Sequence, residues 1–238
     1  MTIETNHSLS VDCVIFGFNG TQLKVLLIES RESEYRKKLP GGMILENETL
    51  PAAAERVLSD LTGLSGIYLR QAAIYSDPNR VESGDLKWIN RNHGVNSHRV
   101  VSVGYYALLK LNTATLRHTS IRGAYWCSVD SVGELMMDHN TILKDTLKRL
   151  KSEIVSSPIA FELLPKQFTI RALQDLYSAV LGIEIDKRNF RRKILNSGLL
   201  HPTGKREVGV AHKPAEYFTF NHAEYKKRVK RDLKLAFL

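Results

Sequence analysis

Long apolar runs are missing from this chain of 238 residues. None approaches the roughly 18 residues that cross a bilayer, so a membrane-spanning protein is not expected. The amino-terminal MTIETNHSLSVDC has no basic-then-apolar leader, so no export signal is expected and the cytoplasm is the expected compartment. Cysteine is scarce: Cys13 and Cys127 sit in apolar, strand-like runs, VDCVIF and AYWCSV. Two such residues give neither a disulfide framework nor a zinc set, and buried free thiols in a reducing compartment are expected. No cofactor and no resident metal ion are expected.

Acidic residues are scarce in one part only. Residues 1–152 carry 18 Lys and Arg against 16 Asp and Glu, whereas residues 153–238 carry 16 against 9. The formal charge of +9 therefore belongs mostly to the last third. A local excess of positive charge implies a polyanionic partner, nucleic acid before acidic membrane. Length and this asymmetry suggest two domains, 1–152 and 153–238.

In the first domain, SVDCVIFG (10–17) and LKVLLIE (23–29) flank FNGTQ and read as a β-hairpin. Residues 49–63 read as a helix capped by Thr49, with Pro51 in its first turn and Gly63 at its end. Strand-like runs follow at 67–75, 99–111 and 123–129, and residues 140–154 look helical. Strands mixed with two helices predict an α+β domain, a mixed sheet sandwiched between helices. The polar stretch 78–98 breaks the pattern and reads as a long loop, either a surface insertion or a lid or dimer contact.

In the second domain, FTIRALQDLYSAVLG has helical spacing with Thr169 as a possible cap. EIDKRNFRRKILNSG forms a second helix with Asp186 at its start and Gly198 at its end. LLHPT and EYFTFN read as strands joined by the basic loop GKREVGVAHKPA. That order is a winged helix-turn-helix. With Phe190 at 0° and ~100° per residue, Ile194 falls on the same side, and Arg188, Asn189, Arg192 and Asn196 span the opposite arc. Arginine and asparagine read guanine and adenine edges in the major groove. Arg191 lies on the same helix. Lys187 at its start and Lys205, Arg206 and Lys213 in the wing suit phosphate contacts. The basic tail YKKRVKRDLKLAFL reads as a last helix, a dimer element or a frayed end.

The stretch LPGGMILENETLPAAAERVLSDLTGL (39–64) resembles the Nudix box. Gly42, Glu48, Arg56, Leu58, Gly63 and Leu64 are in register, but Val57 and Leu61 stand where the motif has glutamates, and Asp60 stands for a third. Positions 57, 60 and 61 share one helical face. In a Nudix hydrolase that face holds magnesium on carboxylates, and hard cations need such oxygen ligands. Efficient hydrolysis is therefore not expected, and the frame is expected to bind without turnover. Gly41, Gly42, Glu48, Arg56, Asp60, Tyr75, Asp77, Arg99 and Tyr105 are the candidate effector contacts, with a structural Arg56–Glu48 pair as the competing role for those two.

A degenerate Nudix domain followed by a winged helix is similar to the Nudix-related transcriptional regulators of bacteria. The runs RVVSVGYYALL, FELLPKQFT and DKRNFRRK look closest to the sugar-responsive, arabinose-regulator-like branch of Bacteroidetes. Another branch senses ADP-ribose. The resemblance implies a homodimeric repressor on double-stranded operator DNA, released by a pentose or ADP-ribose-like effector. The alternative is a Nudix pyrophosphohydrolase acting on ADP-ribose or a related nucleotide.

Overall fold

The computed structural model describes residues 5–29, 37–211 and 213–230. Contacts divide the chain into two compact units. One comprises the chain up to Gly17 and Lys24–Lys148, the other Phe18–Leu23 and the chain from Arg149 onward. The turn Phe18–Leu23 is grouped with the second unit.

The first unit is built on a seven-stranded sheet. Its strands are β1 (Thr5–Phe18), β2 (Leu23–Glu29), β3 (Lys37–Lys38), β4 (Gly41–Leu45), β5 (Arg70–Tyr75), β6 (Val101–Lys110) and β7 (Ala124–Ser128). Their order is β3-β2-β1-β6-β5, with β4 also on β1 and β7 on β2. β1 and β2 are the expected hairpin pair. The Asn19 side-chain oxygen accepts from the N–H groups of Thr21 and Gln22 and shapes the turn between them.

Alternation along the strands divides the core. Val11, Cys13, Ile15, Leu26, Val103, Tyr105 and Ala107 form one cluster with Ala53, Ala54, Val57 and Leu58 of α1 (Leu50–Thr62). Val14, Phe16, Val25, Leu27 and Tyr106 alternate with those positions and are equally buried. Thr49 accepts from the Ala52 N–H, and Gly63 closes α1 at φ 76°, a left-handed conformation that suits glycine.

Two helices lie where none was expected. Residues 78–98 are not a plain loop, since α2 (Ser83–His93) occupies their middle. Ile89 packs with Met43, Val95 and Val100, and Leu86 and Trp88 join that small cluster. The Asn90 amide clamps both backbone groups of Ser97. α3 (Thr113–Ile121) is the second, capped by Asn112. α4 (His139–Ser156) corresponds to the helix expected at 140–154. Cys13 is a buried free thiol as expected, whereas Cys127 is a free thiol only partly covered.

The second unit contains β8 (Phe168–Thr169), α5 (Ile170–Leu181), α6 (Lys187–Asn196), β9 (Leu200–Arg206), β10 (Glu216–Phe220) and α7 (His222–Lys230). Its three strands run in the order β8-β10-β9. Thr169 caps α5, Gly182 ends it at φ 72°, and Asp186 caps α6. Leu173, Leu176, Tyr177, Val180, Phe190 and Ile194 are buried, and the Tyr177 and Phe190 rings lie 5.9 Å apart. The Tyr177 hydroxyl donates to the Ile154 carbonyl at 2.9 Å. Gln174 donates to the Ile185 carbonyl across the α5–α6 turn. The wing loop is shorter than expected, because β9 continues through Gly204, Lys205 and Arg206 and pairs Arg206 with Glu216. α7 covers the first part of the basic tail, and residues 231–238 lie outside the described residues. The molecule is thus a Nudix-like α/β sandwich domain followed by a winged helix.

Candidate functional site

Two regions carry chemistry, and they lie in different units. In the first unit, the turn into β4 and the end of α1 border an open cleft of about 460 Å³. Lys38, Gly41 and Asp60 line it together with Trp88, Asn92 and His93 of α2. Arg122, Gly123, Ile28, Glu29 and Leu61 complete the lining. The Lys38 ammonium stands 4.9 Å from the Trp88 ring centre, and the His93 ring meets Trp88 edge-on at 6.2 Å. Burial pushes the Lys38 ammonium down from its usual range, against the opposing pull of Asp12. Burial lowers His93 as well, and the charge of Lys38 adds to it.

Arg122 Nη1 donates to the Asp60 carbonyl, and a His118 ring nitrogen lies 2.7 Å from the Gly63 carbonyl. These groups meet the open carbonyls of the last turn of α1, where positive charge is favoured. The cleft therefore offers cationic groups for an anionic ligand, flat rings for a base, and both amide and carboxylate groups.

Of the nine candidate contacts, Gly41 and Asp60 line this cleft, and Gly41 and Gly42 line a smaller recess that shares Lys38, Gly41, Trp88 and His93 with it. Gly41 cannot carry a side chain, because a Cβ there would collide with the Asp12 carboxylate. Glu48 and Arg56 bind each other instead of facing the cleft. Arg56 donates through Nε and Nη2, both at 2.7 Å, and Glu48 also accepts from the Leu45 N–H. The bond from Arg56 holds the Glu48 carboxyl below its ordinary range. Tyr105 is 4% exposed inside the cluster under α1, since its strand position faces the core. Asp77 is exposed and accepts from the Asn79 N–H in its own turn. Arg99 is exposed and donates to the Ser76 carbonyl. Tyr75 is half-buried, and neither it, Asp77 nor Arg99 lines the cleft.

The magnesium set of a Nudix hydrolase does not fit these residues. Val57 is 3% exposed in the core, Leu61 packs half-buried on the same cluster, and of the three only the exposed Asp60 carries a carboxylate. Among the described residues, no three His, Cys, Asp or Glu side chains are grouped to hold a metal ion.

Residue-by-residue reading missed a buried polar group beside Gly41. Asp12, Arg80 and His139 are 5%, 9% and 3% exposed. Arg80 is gripped by Asp138 through Nε at 2.9 Å and Nη2 at 2.7 Å. His139 Nε2 lies 3.4 Å from Asp12 Oδ1, and Ser102 donates to Asp12 Oδ2. The Leu39 N–H donates to His139 Nδ1, which leaves the ring proton on Nε2, facing Asp12. Burial pushes His139 below its ordinary value. The only sequence signal was a carboxylate inside the apolar run SVDCVIFG.

In the second unit, α6 buries Phe190 and Ile194 at 1% and 0% exposure. Lys187, Arg188, Arg191, Arg192 and Asn196 are exposed, and Asn189 is half-buried. Arg192 Nη2 donates to the Asn189 side-chain oxygen at 2.8 Å. Lys205 and Arg206 at the end of β9 and Lys213 beyond the wing tip are exposed as well.

Residues 160–220 match the family model of the NrtR DNA-binding winged helix domain. The matched span holds α5, α6 and the wing. Over 225 residues the chain is 28% identical to the ADPR responsive transcriptional repressor NtrR of Acinetobacter baylyi, covering 91% of this chain and 83% of that one. The structure is similar to NrtR of Shewanella oneidensis, with TM-score 0.70 and 25% identity over 90% of this chain and 94% of that one. The crystal structure of the same Shewanella protein complexed with a 27mer DNA gives TM-score 0.69 at 24% identity, covering 92% and 95%. These likenesses span both units.

Proposed function

We propose that this protein is an NrtR-like transcriptional repressor that binds operator DNA through its winged helix and responds to an ADP-ribose-like effector in its Nudix-like domain. The observation that carries the reading is the exposed Arg–Asn arc of α6, opposite a fully buried Phe190 and Ile194. A helix-turn-helix places such an arc in the major groove. Arg188, Arg192, Asn189 and Asn196 would read base edges. Lys187, Arg191, Lys205, Arg206 and Lys213 would hold phosphates. Support comes from the match of residues 160–220 to the NrtR winged helix.

For the effector, the support is the named response of the Acinetobacter relative together with the cations and rings of the cleft. A free pentose, as in the arabinose-regulator-like branch, is the second effector to test. The protein acts as a homodimer in the cytoplasm, with two copies of α6 about 34–36 Å apart in successive major grooves. Effector binding favours a state that misplaces them, which requires a difference in effector affinity between the two states. It is not an enzyme, because the box lacks the carboxylates that activate water on a metal.

The test is a gel-shift titration on duplexes selected from a random pool. A retarded complex that ADP-ribose releases supports the reading, and absence of any complex at low salt contradicts it. Phosphate release from ADP-ribose with magnesium would favour the pyrophosphohydrolase instead.

A further inference from the structure

The cleft does not end at the Gly41 turn. A recess of about 30 Å³ adjoins it, and the two share Lys38, Gly41, Trp88 and His93 in their walls. That volume holds about two hydroxyl-sized groups at ~10–15 Å³ each. Asp12, Arg80 and His139 line it, with Ser10 beside them.

The recess faces a ligand with both kinds of polar atom. Lys38 offers donors, Asp12 offers acceptor lone pairs, and Ser10 offers either. Arg80 is already occupied by Asp138, and its Nη2 lies 3.8 Å from Asp12. A phosphoryl group accepts only, and it would meet the Asp12 carboxylate at close range. A nicotinamide ring is too large. A sugar hydroxyl both donates and accepts, carries no charge, and fits the volume.

We infer that the recess takes the free hydroxyl edge of a sugar, donating to Asp12 and accepting from Lys38, while the rest of the ligand stays in the outer cleft. The inference rests on the proposed effector reading of that cleft. Its chemistry is shared by the terminal ribose of ADP-ribose and by a free pentose. ADP lacks the terminal ribose, and its one sugar is tied between the adenine and the diphosphate that the outer cleft holds. The preference for the sugar is thus set by two residues outside the Nudix box.

Isothermal titration of the full-length protein with ADP-ribose, ADP, D-ribose and L-arabinose tests this, using the wild type, Asp12→Asn and Lys38→Met. Hydrogen bonds to charged groups predict a preference for ADP-ribose over ADP of roughly 10- to 100-fold, falling to about 3-fold or less in both variants. If a free pentose is the source, it binds alone and the same variants abolish its binding, which also supports the inference. Equal affinity of the wild type for ADP-ribose and ADP overturns the inference and leaves the effector reading standing. So does a preference that survives in the variants. If Asp12→Asn does not fold, as judged by circular dichroism, the ratio measured with Lys38→Met decides. If none of the four ligands binds, the effector reading itself fails and the inference with it.

Discussion

Arg192 and Asn189 are bonded to each other, one turn apart on the exposed face of α6, at 2.8 Å. The bond gives the exposed guanidinium a partner on its own helix. The Asn189 backbone is fixed at the helix start, where its N–H donates to the Asp186 side chain at 2.7 Å. The pair is therefore aligned before any duplex arrives, and less side-chain entropy is lost on docking.

Arg192→Ala is expected to weaken operator binding by about 1–3 kcal/mol and to relax sequence preference at one position. Asn189→Ala frees Arg192 and is expected to weaken binding by a smaller amount. Competitive gel shifts with point-substituted operators read both effects. An unchanged Arg192→Ala titration would show that the reading face lies elsewhere.

Lys205→Ala is expected to act differently. Its exposed ammonium suits a phosphate, so binding to specific and non-specific duplexes should fall alike. The slope of log affinity against log salt should drop by about one. A loss confined to the operator would place Lys205 on a base instead.

The Glu48–Arg56 pair predicts a pH dependence of stability. The folded Glu48 carboxyl sits below its ordinary value of 4.5, chiefly through the hydrogen bond from Arg56. The pair therefore stabilises fully above that value, and its contribution is lost as pH falls through the lower folded value. Glu48→Gln should cost about 1–3 kcal/mol at neutral pH. The gap in melting temperature between wild type and variant should close progressively below about pH 4.5. Thermal melts from pH 7 to 3 measure it, and a gap independent of pH would refute the pairing.

Phe190→Ala removes the ring that packs on Tyr177 at 5.9 Å under α6. A fully buried phenylalanine deleted in this way costs about 3–5 kcal/mol. The winged helix should then lose cooperative unfolding in calorimetry. An unaltered transition would contradict the core assignment.

The elements that announced themselves did so through caps and periodicity. Thr49, Thr169 and Asp186 each cap the helix they precede, and Gly63 and Gly182 each end one in the left-handed region. α2 stayed hidden because only Leu86, Trp88 and Ile89 anchor it, amid asparagines and charges that read as loop. α3 stayed hidden for a similar reason, being rich in threonine with few buried side chains. The exposed face of α6 was legible because a single helix carries it. The cleft and its recess were not, since Asp12, Lys38, Arg80, Trp88 and His139 come from separate segments that only the fold brings together. Tyr105 misled for the opposite reason: a polar tip on a strand residue gives no sign of which face it takes.

The most direct test of the account is one titration. Wild-type protein and an Arg188→Ala/Arg192→Ala/Asn196→Ala variant are compared on a selected operator and on random duplex, with and without ADP-ribose. The account predicts that the wild type prefers the operator by at least about 10³-fold, that ADP-ribose releases it, and that the variant keeps only non-specific binding. A variant that still distinguishes operator from random DNA would contradict the account.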